Sequence, residues 1–286
     1  MLTVRQVLKE MQVAPSMRAM MTAGEALRES NIAGYNCAFG NVDHIRFFDE
    51  MFLILMCGTG VGYSVEKAYV NKLPEIPFDL QDSTTTIVVG DSKGGWQRAF
   101  KQLISLLYSG EVPKWDVSKV RPSGARLKTF GGRASGPGPL EDLFHYTVAL
   151  FNKCAGRRLG TIEAHDLCCR IADTVIVGGV RRSALISLGD YSDSGHASAK
   201  SGAFWDAHPE RHLANNSAVY TYVPSVSDFL EEAKSLYDSK TGERGIFNRR
   251  AAQERASVGG RRDHEHAFGT NPCGEIILRP GQFCNL

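Results

Sequence analysis

The sequence predicts an α/β fold whose strands run largely parallel, on three observations. Short β-branched or glycine-led runs alternate with amphipathic helical runs, hydrophobic residues make up 43% of the 286 positions, and no segment repeats. That apolar fraction supports a sizeable core and argues against wholesale disorder.

The elements follow in order. Val4, Val7 and Leu8 have helical spacing but lack the apolar core of a signal peptide. Residues 43–56 are predicted as a helix: Asp43 can cap it, Ile45, Phe48, Phe52 and Leu55 share a face, and Gly58 stops it. Residues 62–65 follow as a strand, and the β-branched run 84–89 predicts a buried one. Residues 90–95, Gly-Asp-Ser-Lys-Gly-Gly, lead into a helix over 96–108 that ends near Gly110. A second glycine-rich segment, 130–139, precedes a helix over 140–153, with Pro139 suited to its first turn. Thr161 can cap a helix that runs to Val177 and breaks at Gly178-Gly179. Residues 183–188 read as a strand, 190–212 as a polar surface loop, 217–223 as a strand, 227–236 as a helix, and 253–266 as a charged, mobile segment.

Composition excludes several classes of function. A net charge of +2 with only the short basic pairs Arg249-Arg250 and Arg261-Arg262 gives no nucleic-acid arm. The most apolar stretch, 51–65, is broken by Gly58, Gly60 and Gly62, so no membrane span is expected. Seven cysteines, an odd number, without a signal peptide point to a reducing, cytoplasmic setting in which disulfides serve catalysis.

The last seventeen residues carry the strongest chemistry. Cys273 stands between Asn271 and Glu275 and is flanked by Pro272 and Gly274, a context for a tight exposed loop rather than a helix. In an extended segment residues 271, 273 and 275 would share a face, putting an amide, a thiol and a carboxylate against one substrate. Such a trio suits proton removal from a diol combined with sulfur chemistry on the neighbouring carbon. Cys284 follows eleven residues later, close enough for a loop to return it to the same pocket.

Asn271-Pro-Cys-Gly-Glu275 followed by Phe283-Cys-Asn-Leu286 resembles the finger loop of ribonucleotide reductases. Tyr35-Asn-Cys-Ala38 with Gly58-Thr-Gly-Val-Gly-Tyr-Ser-Val65 resembles that family's first redox-cysteine strand and the strand after it. Residues 130–140, 179–184 and 215–217 resemble segments of the adenosylcobalamin-dependent branch, particularly its ribonucleoside-triphosphate reductases, and the likeness extends from about Ala14 onward. The resemblance implies a ten-stranded α/β barrel of the ribonucleotide reductase/glycyl-radical type, made of two parallel five-stranded halves. This chain would supply a helical lead-in (1–34), the first half-barrel with effector loops (35–268) and the catalytic finger (269–286). It further implies that Cys273 is the thiyl-radical site, Glu275 the base on the ribose 3′ hydroxyl, Asn271 a hydrogen-bond partner of the ribose, and Cys37 with Cys284 the dithiol that closes to a disulfide. The partners implied are a ribonucleoside triphosphate, a deoxynucleotide effector, a thioredoxin-like reductant and a C-terminal half chain; the cofactor implied is adenosylcobalamin.

Weaker signals have ordinary alternatives. Asp91, Ser92 and Lys93 at a strand-to-helix junction could hold an anion or form an ordinary turn, and the loop does not fit the Walker pattern. Arg181, Arg182 and Ser183 follow a helix end, where arginines can simply satisfy carbonyls; the resemblance makes them the specificity loop of an effector site. The glycines of 58–62 have the wrong spacing for a dinucleotide fingerprint. His165, Cys168 and Cys169 read as core packing, His264-Glu-His266 as a solvated loop, and Cys57 and Cys154 as structural, so no metal site is expected. A diiron-partnered ribonucleoside-diphosphate reductase, a catalytically inactive nucleotide-binding module and a simple dithiol oxidoreductase stay open as alternatives.

Overall fold

The computed structural model describes residues 3–127, 133–177, 184–260 and 262–285. Ten strands are present among them: β1 (Cys37–Asn41), β2 (Gly60–Ser64), β3 (Gln81–Val88), β4 (Glu111–Asp116), β5 (Leu185–Asp190), β6 (Ala214–Tyr220), β7 (Gly245–Asn248), β8 (Gly269–Thr270), β9 (Ile277–Leu278) and β10 (Gln282–Cys284). The main sheet has the order β10-β1-β2-β5-β6-β7. Five of its strands, β1, β2, β5, β6 and β7, are mutually parallel; β10 adds to the β1 edge antiparallel. A parallel sheet needs long crossovers, and helices supply them: Arg46–Met56 joins β1 to β2, Thr161–Val177 leads back to β5, and Val226–Ser239 joins β6 to β7. The α/β class and the parallel five-stranded unit expected from the sequence are both found.

Strand periodicity divides the apolar residues between two faces. Val61, Tyr63 and Leu185 point to the helices and join Phe48, Phe52, Phe100, Phe144 and Phe151 in the principal core. Cys37, Phe39, Ile186, Leu188 and Val219 point to the other face, where Leu278 and Cys284 cover them in a smaller cluster.

Several local expectations are corrected. The run 84–89 lies in or just after β3, which is mostly exposed rather than buried and pairs only with β4 in a separate two-stranded sheet. Its threonines serve strand geometry on a solvated face, while Ile87 and Val89 alone reach the core. Asp43 does not cap the helix Arg46–Met56, whose N-cap is Ile45; the Asp43 carboxylate lies near His44 and Lys72 instead. Thr161 opens its helix but its hydroxyl donates to Asp193, and Glu163 reaches back to the Gly160 N–H at 2.7 Å. The segment 190–212 is no simple loop: it holds two short helices and a 3-10 turn, and buries His196, Lys200 and Glu210. Residues 249–257 are helical because Asn248 caps them and Arg249 is anchored by a buried two-point ion pair with Glu66 at 2.7 and 2.8 Å. The expected helices over 96–108, 140–153 and 227–236 are present within Lys93–Tyr108, Gly138–Lys153 and Val226–Ser239, and Pro139 sits in a first turn.

Candidate active site: three thiols at a hairpin over the sheet

The C-terminal segment folds as a hairpin, β8 against β9, and then returns as β10 along β1. Glycines decide how closely it approaches. A Cβ on Gly62 would lie 2.0 Å from the Thr270 carbonyl oxygen, and one on Gly269 would lie 1.9 Å from the Phe39 ring. Neither position admits a side chain, so the hairpin backbone crosses directly over β1 and β2.

That crossing assembles the thiols. Cys37 in β1 stands opposite Cys284 in β10. Residues directly opposed in an antiparallel pair have Cα atoms roughly 4.5–5.5 Å apart, within the range a disulfide requires. Both are free thiols and both are buried. Burial pushes the Cys37 thiol up to about 12, with the neighbouring Cys284 thiol adding to the rise and the Asn271 amide opposing it. Burial likewise raises Cys284; the Glu275 carboxylate and the Cys273 thiol act in the same direction, so both groups are near enough to be felt.

The hairpin tip differs from the extended reading. Gly274 N–H donates to the Asn271 carbonyl at 3.0 Å, closing a four-residue turn with Pro272 at its second position. Asn271 consequently points inward and is fully buried, whereas Cys273 and Glu275 are exposed. The three residues are gathered at one site, but on two sides of a turn rather than on one face of a strand. Among the described residues, Cys273 is the exposed member of the seven cysteines.

The weaker sequence signals lie elsewhere. Asp91 is held by Arg121 at 2.9 Å; desolvation raises its carboxyl, but the Arg121 hydrogen bonds outweigh it and the shift is downward. The Ser92 hydroxyl caps the helix Lys93–Tyr108 by accepting the Gly95 N–H at 2.9 Å. Lys93 is half-buried, with its pKa lowered by burial beside Cys57, Glu29 and Arg18. These contacts are those of a capped turn and do not involve the hairpin. Arg181, Arg182 and Ser183 lie outside the described residues. His165, Cys168 and Cys169 are fully buried, as core packing requires. His266 pairs with Asp263 at 3.1 Å in an exposed loop.

Asp166, His208 and Glu210 bring potential metal-ligand atoms within 4.8 Å of one another, a group the sequence did not single out because its members come from separate elements. Asp166 already has both oxygens on Arg211, at 2.6 and 2.7 Å, which makes the cluster an ion-pair network. Sequence reasoning also missed the roles of Gly62 and Gly269. The signal was present as the period-2 glycines at 60 and 62, which leave one face of β2 bare.

Residues 63–150 match the family model described as the insertion domain of B12-dependent ribonucleotide reductase. Two relatives named adenosylcobalamin-dependent ribonucleoside-triphosphate reductase, from Lacticaseibacillus paracasei and Lactobacillus leichmannii, are 32% and 33% identical over 284 and 282 residues. Each alignment takes in 84% of this chain and 37% of the relative, so the chain spans little more than a third of the length of these proteins. A crystal structure of a B12-dependent (class II) ribonucleotide reductase superposes with a TM-score of 0.82 and 24% identity, over 98% of this chain and 46% of that one. The resemblance read from the motifs and these similarities of sequence and fold agree.

Proposed function

We infer that this chain carries the substrate-reducing thiols of an adenosylcobalamin-dependent ribonucleoside-triphosphate reductase. The observation that carries the reading is the opposed pair Cys37 and Cys284 lying under a hairpin whose turn exposes Cys273. The reaction replaces the ribose 2′ hydroxyl with hydrogen. In it Cys273, as a thiyl radical, takes the 3′ hydrogen, and Glu275 accepts the 3′ hydroxyl proton. The 2′ hydroxyl leaves as water, and Cys37 with Cys284 supply two electrons and two protons as their S–S bond forms. The buried pair is kept from bulk water while the radical thiol is reachable, a division that suits one-electron chemistry beside a two-electron reductant. Adenosylcobalamin, when bound, supplies the one-electron oxidation that such a thiol needs. Exposure of the Cys273 turn fits a group that docks from outside the hairpin; the ring system itself has no assigned partner among the described residues.

The partners belong to the same reading: a ribonucleoside triphosphate at the hairpin, a deoxynucleotide effector at Asp91, Ser92 and Lys93 with Arg181, Arg182 and Ser183, a thioredoxin-like reductant for the disulfide, and the remaining length of a complete reductase. The division into lead-in 1–34, half-barrel 35–268 and finger 269–286 is likewise part of this proposal, as is a cytoplasmic location; no helix among the described residues is long and apolar enough to cross a membrane.

The test is an assay with ribonucleoside triphosphate, adenosylcobalamin and a dithiol. The chain is tested alone and with a C-terminal half from a related reductase. Turnover is expected on mixing, and Cys273→Ser should abolish it while leaving deoxynucleotide binding near wild type. Cys37→Ser or Cys284→Ser should stop multiple turnover. Effector binding without turnover in any combination would support an inactive binding module instead.

A further inference from the structure

Asn271 must place one acceptor and two donors while having no solvent exposure. Its Oδ1 accepts the Ile276 backbone N–H at 3.0 Å and faces the Thr270 hydroxyl at 3.4 Å. A backbone N–H cannot act as an acceptor, so this bond fixes which end of the amide is which. The nitrogen must face the other way, and there it meets Cys37 Sγ at 3.7 Å. The hairpin thus grips its own amide and presents an N–H to a sulfur on β1, 234 residues away in sequence.

Cys37 stands directly opposite Cys284 in the antiparallel β1–β10 pair, so the sulfur that meets the amide belongs to the redox pair's first thiol. The result is an amide N–H on the Cys37 sulfur, with the Cys284 thiol across the strand pair.

We propose that Asn271 is a positioning residue for the dithiol: its amide orients the Cys37 thiol toward Cys284 and sets how readily the pair closes to a disulfide. This goes beyond contact with a ribose and rests on the reading of Cys37 and Cys284 as the redox pair. Closure by a small disulfide such as oxidised glutathione breaks the glutathione S–S bond and forms the Cys37–Cys284 bond. The two thiol protons end on two molecules of reduced glutathione. Thiol sulfur accepts a hydrogen bond better than disulfide sulfur does, so the amide favours the reduced pair. A net hydrogen bond of ordinary strength corresponds to roughly three- to tenfold in that equilibrium. For a two-electron couple this is about 14–30 mV.

Two variants of the 286-residue chain separate this role from a purely structural one. Asn271→Ala removes donor and acceptor together. Asn271→Asp keeps the acceptor that holds the hairpin, but replaces the donor with a carboxylate that opposes thiolate formation. Each is equilibrated in glutathione buffers between pH 7 and 9, and the Cys37–Cys284 disulfide is quantified by peptide mass spectrometry. Asn271→Ala should close the disulfide three- to tenfold more readily than wild type. Asn271→Asp should shift the onset of its formation to higher pH. Unchanged closure in a folded Asn271→Ala chain, or an unchanged pH onset in Asn271→Asp, would overturn the proposal. If the wild-type chain forms no Cys37–Cys284 disulfide, the redox-pair reading itself falls, and the proposal falls with it.

Discussion

The two faces of the five-stranded sheet are built from the same strands for opposite purposes. On the helix side Val61, Tyr63 and Leu185 meet Phe48, Phe52, Phe100 and Phe144 in a continuous aromatic core. On the hairpin side the same β2 offers Gly60 and Gly62, and its cover is the backbone of another segment. β2 is buried throughout, yet its hairpin-side face carries no side chain at Gly60 or Gly62. Close packing on the first face supplies rigidity. The bare second face lets Cys37, Cys284 and Asn271 meet, with Leu278 and Phe39 as a small apolar surround.

The largest stability effect should therefore come from the helix face. Phe100 has no exposure, meets Phe52 edge to face and stacks against Phe144, with centroids 5.7 and 6.3 Å away. Phe100→Ala should cost about 3–5 kcal/mol, as measured by urea unfolding. Leu278→Ala, from the smaller cluster, should cost distinctly less. Equal losses would break the comparison, because both faces would then be structural core.

Gly62→Ala probes the other face. Its Cβ would sit 2.0 Å from the Thr270 oxygen, so the hairpin must lift rather than a side chain rotate. Stability should fall by about 1–3 kcal/mol. The diagnostic loss is in chemistry: the yield of Cys37–Cys284 disulfide in a fixed glutathione buffer should drop sharply, while it stays near wild type in Phe100→Ala under conditions where that variant is folded. A normal yield in Gly62→Ala would show that β10 alone, without the hairpin's close approach, brings the thiols together.

Much of this was legible in the sequence where local chemistry decides the outcome. The helices ending near Gly58 and Gly110, a strand expected at 62–65 and found as Gly60–Ser64, and the residues of the finger could be read from spacing and motif. Misreadings arose where long-range partners decide. Residues 84–89 are β-branched, which looks the same in a buried strand and in the exposed edge pair β3–β4. The polar run 190–212 looked like a loop because nothing local reveals that Arg211 reaches Asp166 or that Lys200 reaches Glu243. Asn271, Cys273 and Glu275 were recognised as a group, but their shared strand face was not found: Pro272 and Gly274 enforce a turn that alternation arguments ignore.

The smallest effect lies in a polar seam on the helix face. Ser187 in β5 is buried and bonds His165 and His196, each at 3.1 Å; Tyr63 completes the seam with a 2.9 Å bond to His165. Burial, with Arg244 and Lys200 nearby, pushes His196 down to about 3 against the pull of Asp193. Burial also holds His165 well below its usual range, with His196 adding to the effect. Both rings are neutral in the folded state, whereas the unfolded chain protonates them near pH 6.5. For His196, between that pH and about 3 the unfolded state binds more protons, so stability rises with pH and is lost on acidification; the lowering of His165 works in the same direction. From pH 6.5 to 5, above the range where most carboxylates titrate, His196 should contribute a loss of about 1.5 kcal/mol, and His165 acts in the same direction. His196→Gln can keep a polar contact with Ser187 but has no proton to gain. It should reduce the pH-dependent loss seen in urea unfolding over that interval by about 1.5 kcal/mol, even if its stability at pH 7.5 is lower. A slope unchanged by His196→Gln would mean that His196 takes up its proton in the folded protein much as it does in the unfolded chain, and that the helix face is less dry than its aromatic core suggests.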